Sequence, residues 1–300
     1  MIYRVNHVSR IHYDATIGNA RFNVRLQPSD WPGQSVEGFG LTVSPSTRNL
    51  TTRAGPFPVN VTRVVIDEPL DALEIRSQFI ANVSDERPAI LPSDPTIATV
   101  AQAAIAFSSL AETAPAHFLF PSPRVPALPD IATWAAAYLT PHRPVLEAGF
   151  ALCCAITDGF RYDSAATDAD TPVTQAFAIR RGVCQDFAHI LIGALRSVGL
   201  PAGYVSGYLR TLPPPGQPRL EGVDAMHAWV MLWCGPERGW IGLDPTNRCI
   251  TGPDHIFVAL GRDYSDVAPI DGVFMGKTAQ HLDTSVDVAP YAEWAAESAN

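Results

Sequence analysis

The segment RRGVCQDFAHILIGALRSVGL, residues 180–200, decides how the rest of the chain is interpreted. It places one cysteine, Cys184, just ahead of apolar residues that recur at intervals of three and four, the spacing of one helical face. A glycine and a proline after this run end the predicted helix. A thiol in the first turn faces the positive end of the helix dipole, and Arg180 and Arg181 precede it. Both effects favour the thiolate, which is the nucleophilic form of cysteine.

A cysteine nucleophile also needs a base, and most free cysteines are inert packing residues. His189 is five residues further along the helix, so its side chain points about 140° away from that of Cys184. We therefore expect His189 to be a packed or hydrogen-bonded helix residue. A better base lies in AMHAWVMLW, residues 225–233, which is typical of a strand buried on both faces and carries His227 near its start.

A third segment, GWIGLDPTN at residues 239–247, predicts a short apolar strand that ends at Asp244. An aspartate there could accept a hydrogen bond from His227 and hold the imidazole in its productive tautomer. Taken alone, Asp244 would more often start a turn. The order of cysteine on a helix, histidine on a strand and aspartate on a strand favours the functional interpretation.

The segments GVCQDFAHI, LPAGYVSGYL, AMHAWV and GWIGLDPTN together resemble the bacterial transglutaminase-like superfamily of papain-like thiol enzymes. This resemblance spans residues 171–247 and implies Cys184 as nucleophile, His227 as general base and then acid, and Asp244 as the orienting carboxylate. VNHVSRIHYD and LQP near the N-terminus resemble the β-rich domain often fused to this core. HIFVALGRDYSDVAPIDGVF, residues 255–274, resembles the segment that usually follows the core.

The resemblance and the residue pattern together predict an α+β protein with two parts. A β-rich, sandwich-like N-terminal domain is expected over residues 1–85, followed by a linker at 86–96. The papain-like, transglutaminase-like core is expected over 97–275, with a C-terminal tail at 276–300. Its helices are predicted at 97–113, 129–139, 144–158, 173–180 and from Cys184 onward, and its strands at 202–212, 225–233 and 240–244. The insert PPPGQPRLEG, residues 213–222, is either a hairpin connection or a mobile loop at the rim of the cleft.

Composition excludes several classes of function. The chain has 300 residues and a formal net charge of −9, without a basic run, which disfavours nucleic-acid binding. It has no apolar run long enough to span a membrane, and its start lacks the apolar stretch of a signal peptide, so we expect a cytoplasmic protein. The odd count of five cysteines argues against a disulfide framework, although Cys234 and Cys249 could lie close together. No motif indicates a metal or another cofactor.

The expected chemistry is acyl transfer on an amide bond through a thioester at Cys184. Water as acceptor makes the protein a cysteine peptidase or amidase, and a primary amine makes it a transglutaminase; the sequence does not choose between them. The Cys184 backbone N–H and one further donor, Gln185 or Gln175, would form the oxyanion hole. Tyr204, Ser206 and Trp229 are candidates for the cleft wall, with core packing as the alternative. The alternative function is a binding or assembly module that has lost catalysis, and a homo-oligomer is compatible with either.

Overall fold

The computed structural model describes residues 1–47, 49–211 and 225–292, and within them helices and strands are mixed. The helices are α1 (Ile97–Ala106), α2 (Pro129–Ala135), α3 (Val145–Gly159), α4 (Val173–Ile179), α5 (Cys184–Ser197) and α6 (Tyr264–Val267). The N-terminal strands are β1 (Ile2–Ile17), β2 (Ala20–Val24), β3 (Gln34–Ser44), β4 (Leu50–Ala54), β5 (Asn60–Ile66) and β6 (Leu70–Val83). The later strands are β7 (Arg161–Tyr162), β8 (Arg181–Gly182), β9 (Ala202–Leu209), β10 (Ala225–Trp233), β11 (Trp240–Asp244), β12 (Cys249–Ile250), β13 (His255–Gly261), β14 (Ile270–Phe274) and β15 (Gln280–Pro290). The α+β class and the strand-rich N-terminal region are confirmed.

Two antiparallel sheets build the N-terminal region, with strand orders β15-β1-β6-β3 and β14-β2-β5-β4. Burial alternates along β6, as expected for a strand with one face on a core. Apolar side chains of β1 and β6 share one hydrophobic cluster with those of β2 and β5. The two sheets therefore stabilise each other through a common core.

The C-terminal residues depart from the predicted layout, because two late strands return to the N-terminal sheets. β14 pairs with β2, and β15 pairs with β1 over eleven positions, from Tyr3 opposite Pro290 to Tyr13 opposite Gln280. β14 lies within the predicted core at 97–275, and β15 lies within the predicted tail at 276–300. Pairing between residues so far apart in sequence leaves no local signal, whereas the edge of β1 offers backbone groups that need partners.

The core is a five-stranded antiparallel sheet of order β12-β11-β10-β9-β13, with α5 packed against β10 and β9. Residues 228–233 of β10 are all buried, which confirms a strand buried on both faces. On α3, Gly149 lets the sheet approach closely, since a Cβ there would lie 2.7 Å from Leu232 Cδ2. A side chain at that position would push the helix away from the strands.

The central helix α5 is more deeply buried than its amphipathic pattern predicts. Every residue from Asp186 to Leu195 is buried, because α2, α3 and α4 cover the side that faces away from the sheet. The helix that begins with Cys184 is thus held on all sides. This rigidity fixes the direction in which its first turn points.

Other element boundaries differ in smaller ways. α1 ends at Ala106, seven residues before the predicted end at residue 113. Serines follow it, and the Ser109 hydroxyl accepts a hydrogen bond from the Ala111 N–H, a local bond that competes with the helix. The insert at 213–222 lies outside the described residues. In the described part of the chain, no helix is both long enough and apolar enough to cross a membrane.

Candidate active site

Cys184 is the first residue of α5, and the chain that leads to it is held on both sides. β8 pairs in parallel with β7, and the Asp163 N–H donates to the Gly182 carbonyl at 2.9 Å. The backbone N–H of Cys184 stands at the first helical position, where the helix itself supplies no acceptor. Cys184 therefore offers both a half-buried thiol and, in the same residue, a backbone N–H to which the helix supplies no acceptor.

Asp186 stabilises this first turn, as its position predicts. Its Oδ2 accepts the Val183 N–H at 2.8 Å and the Thr167 hydroxyl at 2.7 Å. The carboxylate thereby occupies one of the unpaired donors of the helix start and ties down the preceding loop. Burial raises the pKa of Asp186, against the opposing effect of these two hydrogen bonds.

Arg180, which precedes the thiol in the sequence, packs its guanidinium on aromatic rings. Its guanidinium lies 4.2 Å from the ring centre of Phe177, 4.6 Å from that of Phe160 and 5.4 Å from that of Trp134. Cation–π contacts hold it there, and its backbone is left-handed, with φ of 56°. Arg180 stabilises the turn between α4 and α5 through an aromatic cluster.

The structure brings His227 and Asp244 together from neighbouring strands. His227 Nε2 lies 2.8 Å from Asp244 Oδ2, and the Cys184 thiol is near enough to the same imidazole to raise its pKa. Because Nε2 faces the carboxylate, the remaining ring nitrogen, Nδ1, is the one available to the thiol. Helix, strand and strand therefore meet in the order that the sequence predicts.

The carboxylate of Asp244 is fully buried and receives hydrogen bonds at both oxygens. Oδ1 accepts the backbone N–H groups of Thr246 at 2.9 Å and Asn247 at 3.1 Å. Oδ2 accepts the Asn247 side-chain amide at 2.8 Å besides His227, and His255 Nε2 lies 3.1 Å from it. Burial would raise the pKa of Asp244, but these hydrogen bonds and the charge of His227 hold it well below its usual range. The group is a fixed negative charge.

That charge sets the protonation of His227. Burial would lower the pKa of the imidazole, but the hydrogen bond to Asp244 and the interactions with the charges of Asp244 and Cys184 outweigh burial and raise it to about 10. An imidazolium beside a thiol is the state that a thiolate–imidazolium pair needs. The three side chains can therefore hold the charges that acyl transfer requires.

The other predicted site residues lie in less direct positions. Gln185 donates its side-chain amide to the Ala169 carbonyl at 3.1 Å, and Gln175 is exposed on α4. Tyr204 is buried against the ring of His189, with 5.1 Å between centres, and Ser206 is buried in β9. Trp229 is buried beside the imidazole of His227, with 6.2 Å between ring centres.

Two neighbours of Asp244 were absent from the sequence prediction, namely His255 and Asn247. Asn247 follows the strand end within the quoted GWIGLDPTN, so the turn itself was the available signal. His255 opens the segment HIFVAL as His227 stands near the start of AMHAWV, but nothing local links it to Asp244. Only the strand pairing of the folded sheet brings it there.

His189 and the remaining cysteines lie outside this pair of His227 and Asp244. His189 is buried, and its Nε2 accepts the Tyr264 N–H at 3.2 Å, which agrees with the packed role expected for it. All five cysteines are free thiols, including Cys234 and Cys249. Cys153 is fully buried in α3.

Comparison with known proteins places the chain in a family. A family model described as the transglutaminase-like superfamily matches residues 132–245, and one described as the bacterial transglutaminase-like N-terminal region matches residues 3–82. An uncharacterized protein of Mycobacterium tuberculosis is 34% identical over 294 residues, covering 96% of this chain and 93% of that protein. The chain belongs to the transglutaminase-like superfamily.

Two further similarities concern proteins with different descriptions. A crystal structure of a candidate cysteine protease from Cytophaga hutchinsonii superposes with a TM-score of 0.69 at 18% identity, covering 96% of this chain and 97% of that one. At that identity the likeness establishes the fold alone. A protein-glutamine gamma-glutamyltransferase of Pseudomonas aeruginosa is 36% identical over 104 residues, which are 32% of this chain and 15% of that protein.

Proposed function

We propose that this transglutaminase-like protein is a cysteine enzyme that transfers the acyl group of an amide substrate through a thioester at Cys184. The observation that carries the proposal is the imidazole of His227, which hydrogen-bonds the Asp244 carboxylate and has its pKa raised by both that carboxylate and the Cys184 thiol. Asp244 fixes the ring by accepting Nε2–H, which turns Nδ1 toward sulfur. The arrangement supplies a nucleophile, a base and an orienting group.

The proposed reaction has two halves. The Cys184 thiolate attacks the amide carbonyl carbon, a C–S bond forms, the C–N bond breaks, and His227 gives its proton to the departing amine. An acceptor then attacks the thioester carbon, its proton goes to His227, and the thiolate leaves. The Cys184 N–H is the first oxyanion donor in this scheme, and the second stays a prediction between Gln185 and Gln175.

The acceptor decides between amide hydrolysis and amine transfer. Water gives a peptidase or amidase, and a primary amine gives a transglutaminase. The name of the Pseudomonas aeruginosa relative, a gamma-glutamyltransferase, makes a glutamine side chain and a primary amine the first substrates to offer. Incorporation of a fluorescent primary amine into a glutamine peptide, measured beside ammonia release without the amine, separates the two outcomes.

Alkylation of the native protein by iodoacetamide tests the nucleophile itself, with the rate read at each cysteine by mass spectrometry. Cys249 is the matched control, because it is also half-buried, and burial and the charge of Asp244 raise its pKa to about 11. We expect Cys184 to react at least about 100-fold faster than Cys249 at neutral pH, since thiolate is the reactive form. His227→Ala should remove this advantage. Equal rates at the two cysteines would leave the binding-module alternative as the better account.

We also propose a cytoplasmic location. Five free thiols fit a reducing compartment. Fractionation of cells that produce the full chain tests this, and recovery with membranes or in the periplasm would overturn it.

A further inference from the structure

A second histidine contacts the carboxylate that orients His227. His255 is the first residue of β13, and its side chain is only 8% exposed. Its Nε2 lies 3.1 Å from Asp244 Oδ2, the same oxygen that His227 Nε2 approaches to 2.8 Å. Two imidazoles from different strands therefore share one buried oxygen.

The tautomer of His255 is fixed from the opposite side of the ring. The backbone N–H of Gly252 donates to His255 Nδ1 at 3.3 Å. In return, the backbone N–H of His255 donates to the Gly252 carbonyl at 3.0 Å, which closes the turn before β13. A backbone N–H can only donate, so Nδ1 must accept. The proton of the neutral ring is then on Nε2, and His255 donates it to Asp244.

This tautomer also explains a cluster that has the composition of a metal site. Ligand atoms of Asp244, Cys249 and His255 lie within 4.8 Å of one another. A metal would need the lone pair of Nε2, but in the tautomer that Gly252 selects this nitrogen carries hydrogen. Hydrogen bonding therefore accounts for the cluster.

We propose that His255 is a positioning residue that takes up part of the negative charge of Asp244 and so limits how strongly this carboxylate holds the proton of His227. Three donors other than the histidines already fix the carboxylate, two backbone N–H groups and the Asn247 amide. The orientation of Asp244 is thus secured without His255. What His255 adds is a further share of the charge on Oδ2, where the proton of His227 is bound.

The charged and titratable groups around this pair come from five elements. His227 approaches Asp244 from β10, and Cys184 of α5 acts on the other side of that imidazole. His255 of β13 and Cys249 of β12 also lie close to the carboxylate. Cys153 of α3 also interacts with the charge of Asp244, and burial raises the pKa of that thiol well above its usual range. Since Cys153 and Cys249 stay protonated at neutral pH, His255 is the titratable neighbour that, besides the Asn247 amide, hydrogen-bonds the oxygen facing His227.

The experiment replaces His255 and follows the imidazole of His227 by nitrogen-15 NMR titration of the full chain. His255→Phe keeps a ring but removes the donor, and we expect the titration of His227 to move upward by about half a pH unit. His255→Met is the second donor-free variant, in case the ring variant does not fold. His255→Gln keeps an amide donor and should return the titration toward that of the wild type.

The matched control is His281→Phe, which removes an exposed histidine from a carboxylate at the same distance. His281 Nε2 lies 3.1 Å from Asp14 Oδ1, with both side chains more than half exposed. This variant should leave His227 unmoved. A titration of His227 that stays unchanged in both donor-free variants would reduce His255 to a packing residue. A downward shift would mean that His255 holds the carboxylate in place, and the charge-sharing proposal would be wrong.

The catalytic consequence rests on the proposed function, whereas the titration does not. If the enzyme is active, the pH at which kcat/KM falls on the alkaline side should rise in the donor-free variants, together with the titration of His227. This change should appear in kcat more than in KM. If no variant or wild-type protein turns over an amide, the proposed function fails, and the NMR shift alone still decides the role of His255.

Discussion

Two buried histidines in this protein have opposite protonation, and the comparison shows what makes one of them suited to chemistry. His7 lies in β1, where its ring nitrogens contact the Tyr208 hydroxyl at 3.1 Å and the Ser9 hydroxyl at 2.8 Å. Burial lowers the pKa of His7 to about 4. His227 is also buried, yet its pKa is raised to about 10. Hydroxyl partners satisfy a neutral ring, whereas a carboxylate and a thiol stabilise a charged one.

His189 shows that a nearby carboxylate is not sufficient by itself. Burial lowers the pKa of His189 to about 4, even though the charge of Asp263 acts in the opposite direction. The His189 ring instead accepts a backbone N–H at Nε2, which stabilises the neutral form. Within the described residues, His189 lacks the direct hydrogen bond from a ring to a buried carboxylate that His227 makes with Asp244.

Asp244→Asn gives His227 a neutral partner like those of His7, and we expect it to have the largest effect of the variants considered. Burial would then dominate, and we expect the pKa of His227 to fall from about 10 to below its ordinary value of 6.5. Without the imidazolium, enzymatic activity should drop by about 10³- to 10⁴-fold, and the rapid alkylation of Cys184 should disappear. NMR titration and per-site alkylation rates measure the two effects.

Asp263→Asn is the control for this variant, because Asp263 is equally buried and lies near the other histidine of the core, His189. It should alter stability and leave the alkylation of Cys184 unchanged. If Asp244→Asn retained a His227 that titrates near pH 10, the thiol and not the carboxylate would be the main source of the raised pKa.

A second prediction concerns stability at acid pH, where the two histidines act with opposite signs. The pKa of His7 is lower in the native state, about 4, than its ordinary value of 6.5, so the unfolded chain binds this proton first as pH falls. His7 therefore costs stability progressively between pH 6.5 and 4, by about 3 kcal/mol in total. His227, with its raised pKa, instead contributes stability that is complete below 6.5 and is lost as pH rises through about 10.

Urea unfolding at the two ends of the acid window, on the wild type and on His7→Gln, measures the first of these effects. Removing the titrating ring should reduce the change in unfolding free energy across this pH window by most of the roughly 3 kcal/mol assigned to His7. The remaining change should include the contribution of His189, whose pKa is also lowered. An unchanged pH slope in His7→Gln would show that burial does not lower the pKa of His7 in the native protein.

Much of this comparison could be predicted from the sequence, and the part that could not has a physical cause. Cys184, His227 and Asp244 each stand at the start or end of an element whose local pattern is strong, so their roles were predicted from the residues and the resemblance. His255 and β15 depend on pairing between strands far apart in the chain, which no local periodicity encodes. The position of Arg180 depended on three aromatic rings that only the fold assembles.

The contact between Tyr208 and His7 gives the weakest of these expected effects. Tyr208 belongs to β9 of the core sheet, and its hydroxyl reaches His7 in the N-terminal sheet, so Tyr208→Phe removes a hydrogen bond between the two parts. We expect a loss of about 1 kcal/mol in the free energy of unfolding, because one buried ring nitrogen is left without its partner. The titration of His227 and the alkylation of Cys184 should not change, since the hydroxyl contacts a different histidine. A large loss of alkylation would show that the two parts are coupled through this contact, and the two histidines could then no longer be treated as independent.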